Sequence, residues 1–214
     1  MIGIFGGTFD PVHYGHIKPA LSVKQALKLS QLRFIPNRIP PHRVAPMLSV
    51  AQRLSLLQVA LKDYPDVFID ERELHREGPS YMIDTLRSLH SDFPDETLCL
   101  IIGVDAFLKI ATWHEWRAMF DLCHLVVMRR PGFDMTRVAE HMNAEDYRFL
   151  ADRMTHDAGA LTSQATGKIL LKSVPQLDIS STQIRANLLN GEDISQWVPE
   201  VICQQLRGFI IDDK

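Results

Sequence analysis

The chain has 214 residues, of which 46% are hydrophobic, and a formal charge of −3. This length and composition suit one α/β domain with a sizeable core and exclude an intrinsically disordered chain. The charge gives no general basic surface for a nucleic acid, and no apolar stretch approaches the roughly 18 residues that span a bilayer. Small anionic ligands would therefore need a local positive site.

The three cysteines, Cys99, Cys123 and Cys203, are odd in number and lack C-x-x-C spacing. Such usage is typical of free, buried thiols in a reducing compartment. The N-terminus also lacks the basic region of a signal peptide. We therefore expect a cytoplasmic protein that binds neither membranes nor nucleic acids.

Short apolar runs alternate with longer helical patterns along the chain. The runs predict strands at Ile2–Phe5, Leu32–Pro36, Val67–Ile69, Leu98–Gly103, His124–Arg129 and Lys168–Val174. Helical periodicity is found at Ile17–Leu29, Val50–Leu61, Tyr81–Leu89 and Met135–Met154, and in the tail at Ser181–Asn190 and Ile194–Leu206. This alternation predicts an α/β fold with a doubly wound parallel sheet and helices on both faces.

We expect one domain over residues 1–214, with residues 181–214 forming a small C-terminal helical subregion. Asn190-Gly191 is a predicted helix C-cap within that subregion. Residues 144–166 are polar and weakly patterned, which is typical of a variable insertion.

The first strand runs into a glycine turn, Gly6-Gly7-Thr8-Phe9-Asp10, which leads into the first helix. Such a junction points backbone N–H groups and the positive end of a helix dipole at one place, where a phosphate would bind. His13 and His16 fall on one side of the first helical turn, and imidazoles can donate hydrogen bonds to phosphate oxygens. Asp10, before Pro11, is expected to fix a turn by accepting hydrogen bonds from backbone N–H groups.

Several other site classes are disfavoured. The chain has neither G-x-x-x-x-G-K-[ST] nor G-x-G-x-x-G, so a P-loop hydrolase or an ordinary dehydrogenase is not indicated. His114-Glu115 begins like H-E-x-x-H, but Ala118 stands at the second ligand position. His13 and His16 could bind a metal, yet the spacing offers no third ligand, and we predict no metal site.

A hydroxyl cluster, Ser180-Ser181-Thr182, stands immediately ahead of a predicted helix. It would cap that helix, and a helix start that is capped by hydroxyls is also a place where an anion binds. Arg185 lies one turn into the same helix, and a surface ion pair is the alternative to a ligand contact.

Other candidates lie at strand ends and in loops. Gly103 and Asp105 follow a predicted strand, where the carboxylate could accept hydrogen bonds from a ribose or cap a helix at 106–110. Trp113 and Trp116 could be core residues or could stack on a planar ring. Taken alone, the pair His42-Arg43 is typical of a loop, and the pair Arg129-Arg130 is typical of surface charges at a strand end.

Together these motifs resemble the H-x-G-H nucleotidyltransferase superfamily. The form Gly-Gly-Thr-Phe-Asp-Pro-x-His is similar to that of the bacterial nicotinate-mononucleotide adenylyltransferases in particular. Later matching segments, in order, are Ile39–Arg43, Gly78–Tyr81 with Thr85, Ile102–Asp105, Thr112-Trp113, Arg129–Gly132 and Ile179–Arg185. Their order and spacing make the resemblance specific, and it implies a Rossmann-like fold.

The resemblance implies adenylyl transfer from ATP to nicotinic acid mononucleotide, forming nicotinic acid adenine dinucleotide and pyrophosphate. It assigns His13, His16 and Arg185 to the ATP phosphates, with His16 the larger contributor of the histidines. Magnesium would arrive with ATP, held largely by phosphate oxygens and water. The oligomeric state stays open, a homo-oligomer included.

On the acceptor side, the backbone amides of Gly7, Thr8 and Phe9 would hold the mononucleotide phosphate. Thr85 and the backbone near His114 would bind the pyridine carboxylate, and Trp113 would stack on the ring. The other residues that the resemblance places at the substrates are Gly6, His42, Arg43, Gly103, Asp105, Arg130, Ser180, Ser181 and Thr182. The family often has lysine where Arg43 stands, a change that keeps the charge and alters its geometry.

Three alternatives remain open. An adenylyltransferase of the same fold could act on pantetheine phosphate or on nicotinamide mononucleotide instead. A class I aminoacyl-tRNA synthetase relative shares H-x-G-H, but this chain has no anticodon-binding extension. A non-catalytic nucleotide-binding regulator would keep the pocket and lose the transfer chemistry.

Overall fold

A computed structural model describes residues 1–39, 45–129, 136–175 and 177–212. The strands within these ranges are β1 (Ile2–Gly7), β2 (Gln31–Pro36), β3 (Val67–Ile69), β4 (Leu98–Gly103), β5 (His124–Arg129), β6 (Met154–Thr155) and β7 (Ile169–Ser173). They form a seven-stranded sheet in the order β3-β2-β1-β4-β5-β7-β6, and every pair is parallel.

The helices are α1 (Tyr14–Leu27), α2 (Val50–Leu61), α3 (Met82–Asp92), α4 (Val104–Phe107), α5 (Thr136–Ala139), α6 (Ala144–Ala151), α7 (Ala160–Ser163), α8 (Ser181–Leu189) and α9 (Glu200–Asp212). Two 3₁₀ helices, Ile110–Thr112 and Trp116–Asp121, follow α4. Ser49 starts α2 with a capping box, in which its hydroxyl and the Gln52 side chain each bond the other's backbone.

Both faces of the sheet are buried. Adjacent strand residues point to opposite faces, so Ile4 and Phe5 of β1 belong to different core clusters. Helices α1, α2, α8 and α9 cover the Phe5 face, whereas α3 and the 3₁₀ helices cover the Ile4 face. This double cover explains why the strands are continuous apolar runs rather than alternating patterns.

The strand order reverses at β1. The chain passes from β1 to β2 and β3 on one side, and then returns to place β4 on the other side of β1. In open α/β sheets, ligands bind at such a switch point, beyond the carboxyl ends of the strands. The glycine turn after β1 lies at this position.

The predicted fold class and the strands are confirmed, but three local predictions are wrong. The segment Met135–Met154 is not one helix: within its described part, Asn143 caps a new helix by accepting the Asp146 N–H at 2.9 Å. In the tail, α9 begins only after Pro199. A proline disfavours the helical conformation of the residue before it, so the helix does not extend back through Val198. Gly103, not Asp105, is the N-cap of α4.

The three cysteines are free and buried, as expected. Burial raises the pKa of the Cys99 thiol to about 12, so this sulfur stays protonated and behaves as a small apolar group. Across the described ranges, no helix is both long enough and apolar enough to cross a membrane.

Candidate active site

The glycine turn is built by close packing at the end of β1. A side chain at Gly6 would meet the Met82 methyl carbon at 2.7 Å, and one at Gly7 would meet the Phe9 ring at 2.9 Å. Phe9 itself adopts a positive φ of 51° and is buried. A β-carbon at either glycine would therefore require the Met82 or Phe9 side chain to shift.

The two predicted histidines stack on each other at the start of α1. Their ring centroids are 3.8 Å apart at 26°, and His16 also meets the edge of Phe9 at 5.3 Å. Gly15 makes this stack possible, because a β-carbon there would lie 2.9 Å from the His13 ring. The prediction that the two imidazoles share one side of the helical turn is confirmed.

The two histidines differ in burial. His13 is 4% exposed, and its Nδ1 has no hydrogen-bond partner among the described residues. Burial lowers the pKa of His13 to about 4, so its ring is neutral at neutral pH. His16 is half-buried. His13 can therefore supply a hydrogen bond without a charge.

The start of α8 packs directly against the glycine turn. Ser180 caps α8 by accepting the Gln183 N–H at 3.1 Å, which confirms the predicted N-cap. Ser181 donates its hydroxyl hydrogen to the carbonyl of Pro11, 170 residues away in sequence, at 3.2 Å. The two motifs thus meet at one place.

Arg185 extends from α8 to Asp10. Its Nη1 donates to the Asp10 carbonyl at 2.6 Å and lies 3.3 Å from the Asp10 carboxylate. Its Nη2 is 3.4 Å from the Thr182 hydroxyl. The Arg185 side chain is 27% exposed, so it can still meet a ligand.

Asp10 is structural, as predicted, but the turn that it fixes is a distant one. Its carboxylate accepts the backbone N–H groups of Met47 and Leu48, each at 2.9 Å. These residues lead into the cap of α2. Asp10 therefore joins three elements: the glycine turn, the approach to α2, and α8 through Arg185.

Arg53 was not predicted from the sequence, although it lies behind the same turn. It is 1% exposed and donates to the Thr8 carbonyl at 2.7 Å and the Asn37 carbonyl at 2.9 Å. A signal was available, because Arg53 occupies a position on the apolar face of α2 together with Leu57 and Ala60. A charged residue on such a face needs partners in the interior.

One predicted base-binding residue, His114, lies beside the start of α3. The Tyr81 and His114 rings lie 4.5 Å apart, and His114 is exposed. Trp113 is half-buried against the second core cluster. Trp116 is a core residue whose ring meets Phe149 edge-on at 5.2 Å, so Trp113 is the tryptophan that can stack on a ligand.

The expected role of the Thr85 hydroxyl needs correction. Thr85 is 0% exposed, donates its hydroxyl hydrogen to Glu73 at 2.6 Å and accepts from Arg76 at 3.2 Å. Because a hydroxyl has one hydrogen, it cannot also donate to a pyridine carboxylate. Burial is the main reason that the pKa of Glu73 is raised. The sequence reasoning missed both Glu73 and Arg76.

The remaining candidates are dispersed or not described. Asp105 is exposed in the first turn of α4, at the carboxyl end of β4. His42, Arg43 and Arg130 lie outside the described residues. In the part of the chain that the structure covers, no group of three or more His, Cys, Asp or Glu side chains could hold a metal ion.

Comparison with known proteins gives the family. The family described as cytidylyltransferase-like matches residues 4–187. A probable nicotinate-nucleotide adenylyltransferase of Methylococcus capsulatus is 45% identical over 206 residues, covering 95% of each chain. Its counterpart in Halorhodospira halophila is 43% identical over 205 residues, covering 96% of this chain and 92% of that one.

Solved structures agree on the fold. The nicotinic acid mononucleotide adenylyltransferase of Plasmodium falciparum, complexed with NaAD, matches with a TM-score of 0.70 at 16% identity. The match covers 99% of this chain and 94% of that chain. The chain belongs to the nicotinate-nucleotide adenylyltransferases, within the wider cytidylyltransferase-like family.

Proposed function

We infer that the chain catalyses the reaction of its family, adenylyl transfer from ATP to the 5′-phosphate of nicotinic acid mononucleotide. The products are nicotinic acid adenine dinucleotide and pyrophosphate. The observation that carries this inference is the junction at which the stacked histidines, Arg185 and the starts of α1 and α8 meet the glycine turn. Helix starts and cations together bind the phosphates of a nucleotide.

The chemistry needs electrostatic help rather than a base. An acceptor phosphate oxygen attacks the α-phosphorus of ATP, and the bond to the oxygen bridging to the β-phosphate breaks, so pyrophosphate leaves with that electron pair. The acceptor is already an anion, so no serine, cysteine or general base is required. Positioning and charge stabilisation supply most of the catalysis in such transfers.

On the ATP side, His13, His16 and Arg185 would contact the phosphates. His13 would donate a hydrogen bond as a neutral ring, since its pKa is lowered to about 4 by burial. Arg185 would add a full charge, and its bond to the Asp10 carboxylate would be exchanged for a bond to phosphate. The hydroxyls at 180–182 and the dipole of α8 would assist.

On the acceptor side, the amides of Gly7, Thr8 and Phe9 would hold the mononucleotide phosphate. Trp113 would stack on the ring, and backbone N–H groups near His114 would bind the pyridine carboxylate. By family likeness, the proposal also includes Gly6, His42, Arg43, Gly103, Asp105 and Arg130. Magnesium would enter with ATP, bound mainly by phosphate oxygens and water.

The test is pyrophosphate release from ATP with one candidate acceptor at a time. We expect release with nicotinic acid mononucleotide, and a kcat/KM at least about tenfold lower with the amide analogue. A carboxamide would turn its NH₂ toward N–H donors, and one unpaired buried group costs about 1–3 kcal/mol. Efficient release with pantetheine phosphate would identify a different enzyme, and ATP binding without release would indicate a regulator.

A further inference from the structure

Arg53 is a buried cation whose guanidinium bonds backbone carbonyls. The two carbonyls belong to Thr8, just after β1, and to Asn37, just after β2. Asn37 adds a second tie, since its N–H donates to the Gly7 carbonyl at 3.0 Å and its amide donates to the Thr8 hydroxyl at 3.2 Å. The ends of two neighbouring strands are thus fastened to one side chain.

These bonds determine where the amides of the turn point. The peptide bonds from Gly7 to Phe9 are trans, and a trans peptide directs its carbonyl and its N–H oppositely. The Thr8 carbonyl points inward to Arg53, so the Phe9 N–H points away from the core. The Gly7 carbonyl is likewise held by Asn37, so the Thr8 N–H points away from that strand end.

Packing alone does not explain a guanidinium at this position. A buried ion can often be replaced by an apolar side chain of similar size without loss of stability. Arg53 lies on the apolar face of α2, where such a side chain would fit the pattern. Burial lowers the pKa of Arg53, and the charge of Asp10, which also pairs with Arg185, opposes that shift.

We propose that Arg53 is a positioning residue for the acceptor phosphate. By holding the Thr8 carbonyl inward, it aims the Phe9 amide at the phosphate, and its charge polarises that peptide group. This proposal rests on the proposed function, and it gives Arg53 a role through the turn rather than by touching substrate.

The first test compares Arg53→Lys with wild type in steady-state kinetics. Lysine keeps the charge but cannot reproduce the fork that bonds two carbonyls. We expect KM for nicotinic acid mononucleotide to rise about tenfold, the factor that corresponds to about 1.4 kcal/mol, while KM for ATP changes little. Arg33→Lys is the matched control, because Arg33 is a half-buried arginine on β2 that pairs with Asp70 instead.

A second measurement separates positioning from folding. Inhibition by nicotinic acid riboside, which lacks the phosphate, should be equally strong in wild type and Arg53→Lys. If Arg53→Lys does not fold, Arg53→Met replaces it, because an apolar side chain of similar length suits the apolar face of α2. Arg53→Met removes both carbonyl bonds and should raise the same KM by at least the same factor. Equal changes in both KM values, unchanged kinetics, or weaker riboside inhibition would overturn the proposal.

The outcome for Arg53 is distinguishable from that for the proposed function. A wild-type protein that releases no pyrophosphate with nicotinic acid mononucleotide would contradict the proposed function itself. An active wild type whose Arg53 variant shows no selective rise in KM for the mononucleotide contradicts only the role of Arg53.

Discussion

The two ends of the candidate site are built differently. The phosphate side joins elements far apart in sequence: Arg185 reaches Asp10, Asp10 holds the approach to α2, and Arg53 holds the glycine turn. Asp10 and Arg53 are buried. The base side uses partly exposed rings, such as Tyr81 against His114, and an exposed ion pair between Arg87 and Glu115.

This difference follows from what each side must do. Charge that develops during phosphoryl transfer is stabilised best by groups that are already fixed, because reorganising them would cost free energy during the reaction. A ring can be held by stacking and a few hydrogen bonds, which tolerate adjustment. Substitutions on the phosphate side should therefore affect rate or stability strongly, and those on the base side should affect affinity modestly.

The strongest test of the comparison is His16→Ala. Removing a preorganised donor lowers kcat by about 10²-fold or more in other enzymes, and we expect the same here. Steady-state kcat at saturating substrates measures the effect, and thermal unfolding verifies that the fold is kept. His75→Ala is the control, since the His75 side chain is 76% exposed. Near wild-type turnover of His16→Ala would remove His16 from the mechanism.

The second test concerns the buried histidine and uses pH. The pKa of His13 in the folded protein, about 4, lies below its ordinary value of 6.5 because of burial. As the pH falls, His13 of the unfolded chain is protonated at a higher pH than His13 of the folded protein. The free energy of unfolding is therefore highest above about pH 6.5 and decreases as the pH falls toward 4. The full loss is about 3 kcal/mol, at about 1.36 kcal/mol per pKa unit.

His13→Gln should lack this loss. Urea unfolding at several pH values would give the unfolding free energy of wild type minus that of the variant. This difference should decrease as the pH falls from about 6.5 to about 4, because only the wild type loses stability. His75→Gln, at an exposed position, should show no such trend. If the wild-type and His13→Gln curves run parallel, His13 is not buried as a neutral group.

Many local features of the phosphate side and of the sheet could be predicted from the sequence. The strand–glycine–helix junction and the hydroxyl cluster are local patterns, because backbone turns and helix caps depend on neighbouring residues. The placement of His13 and His16 on one side of a helical turn and the cap at the start of α8 were accordingly predicted correctly. The bounds of β3, β4 and β5 were also predicted correctly.

The contacts between distant segments could not be predicted in the same way. The Asp10 carboxylate accepts hydrogen bonds from the backbone of residues 47 and 48. Arg53 donates to the Thr8 carbonyl, and the Thr85 hydroxyl donates to Glu73. Each pairing depends on how the elements pack, and no local pattern specifies it. The Thr85 hydroxyl shows the consequence, since its chemistry suited a ligand but its hydrogen had already been donated to Glu73.

The third test separates the two substrates at Arg185. Arg185→Ala should raise KM for ATP about ten- to a hundredfold, since a hydrogen bond to a charged group contributes about 1.5–3 kcal/mol, while the affinity for nicotinic acid mononucleotide changes little. Arg185→Lys keeps the charge without the planar fork and should fall between wild type and alanine. Equal losses of affinity for both substrates, measured separately, would contradict a role specific to the triphosphate.

The smallest effect is expected on the base side, at Trp113. Stacking of aromatic rings contributes about 0.5–1.5 kcal/mol beyond burial, so Trp113→Ala should weaken both mononucleotides by roughly two- to tenfold. Stacking senses the ring and not its exocyclic group, and the preference for the acid over the amide should therefore survive. The measurement is kcat/KM for both mononucleotides in wild type and Trp113→Ala. Phe149→Ala is an aromatic control at a half-buried ring beside Trp116. If Trp113→Ala alone abolishes the preference, Trp113 and not the backbone N–H groups determines selectivity for the carboxylate. The separate roles proposed for the stacking ring and the backbone donors would then be wrong.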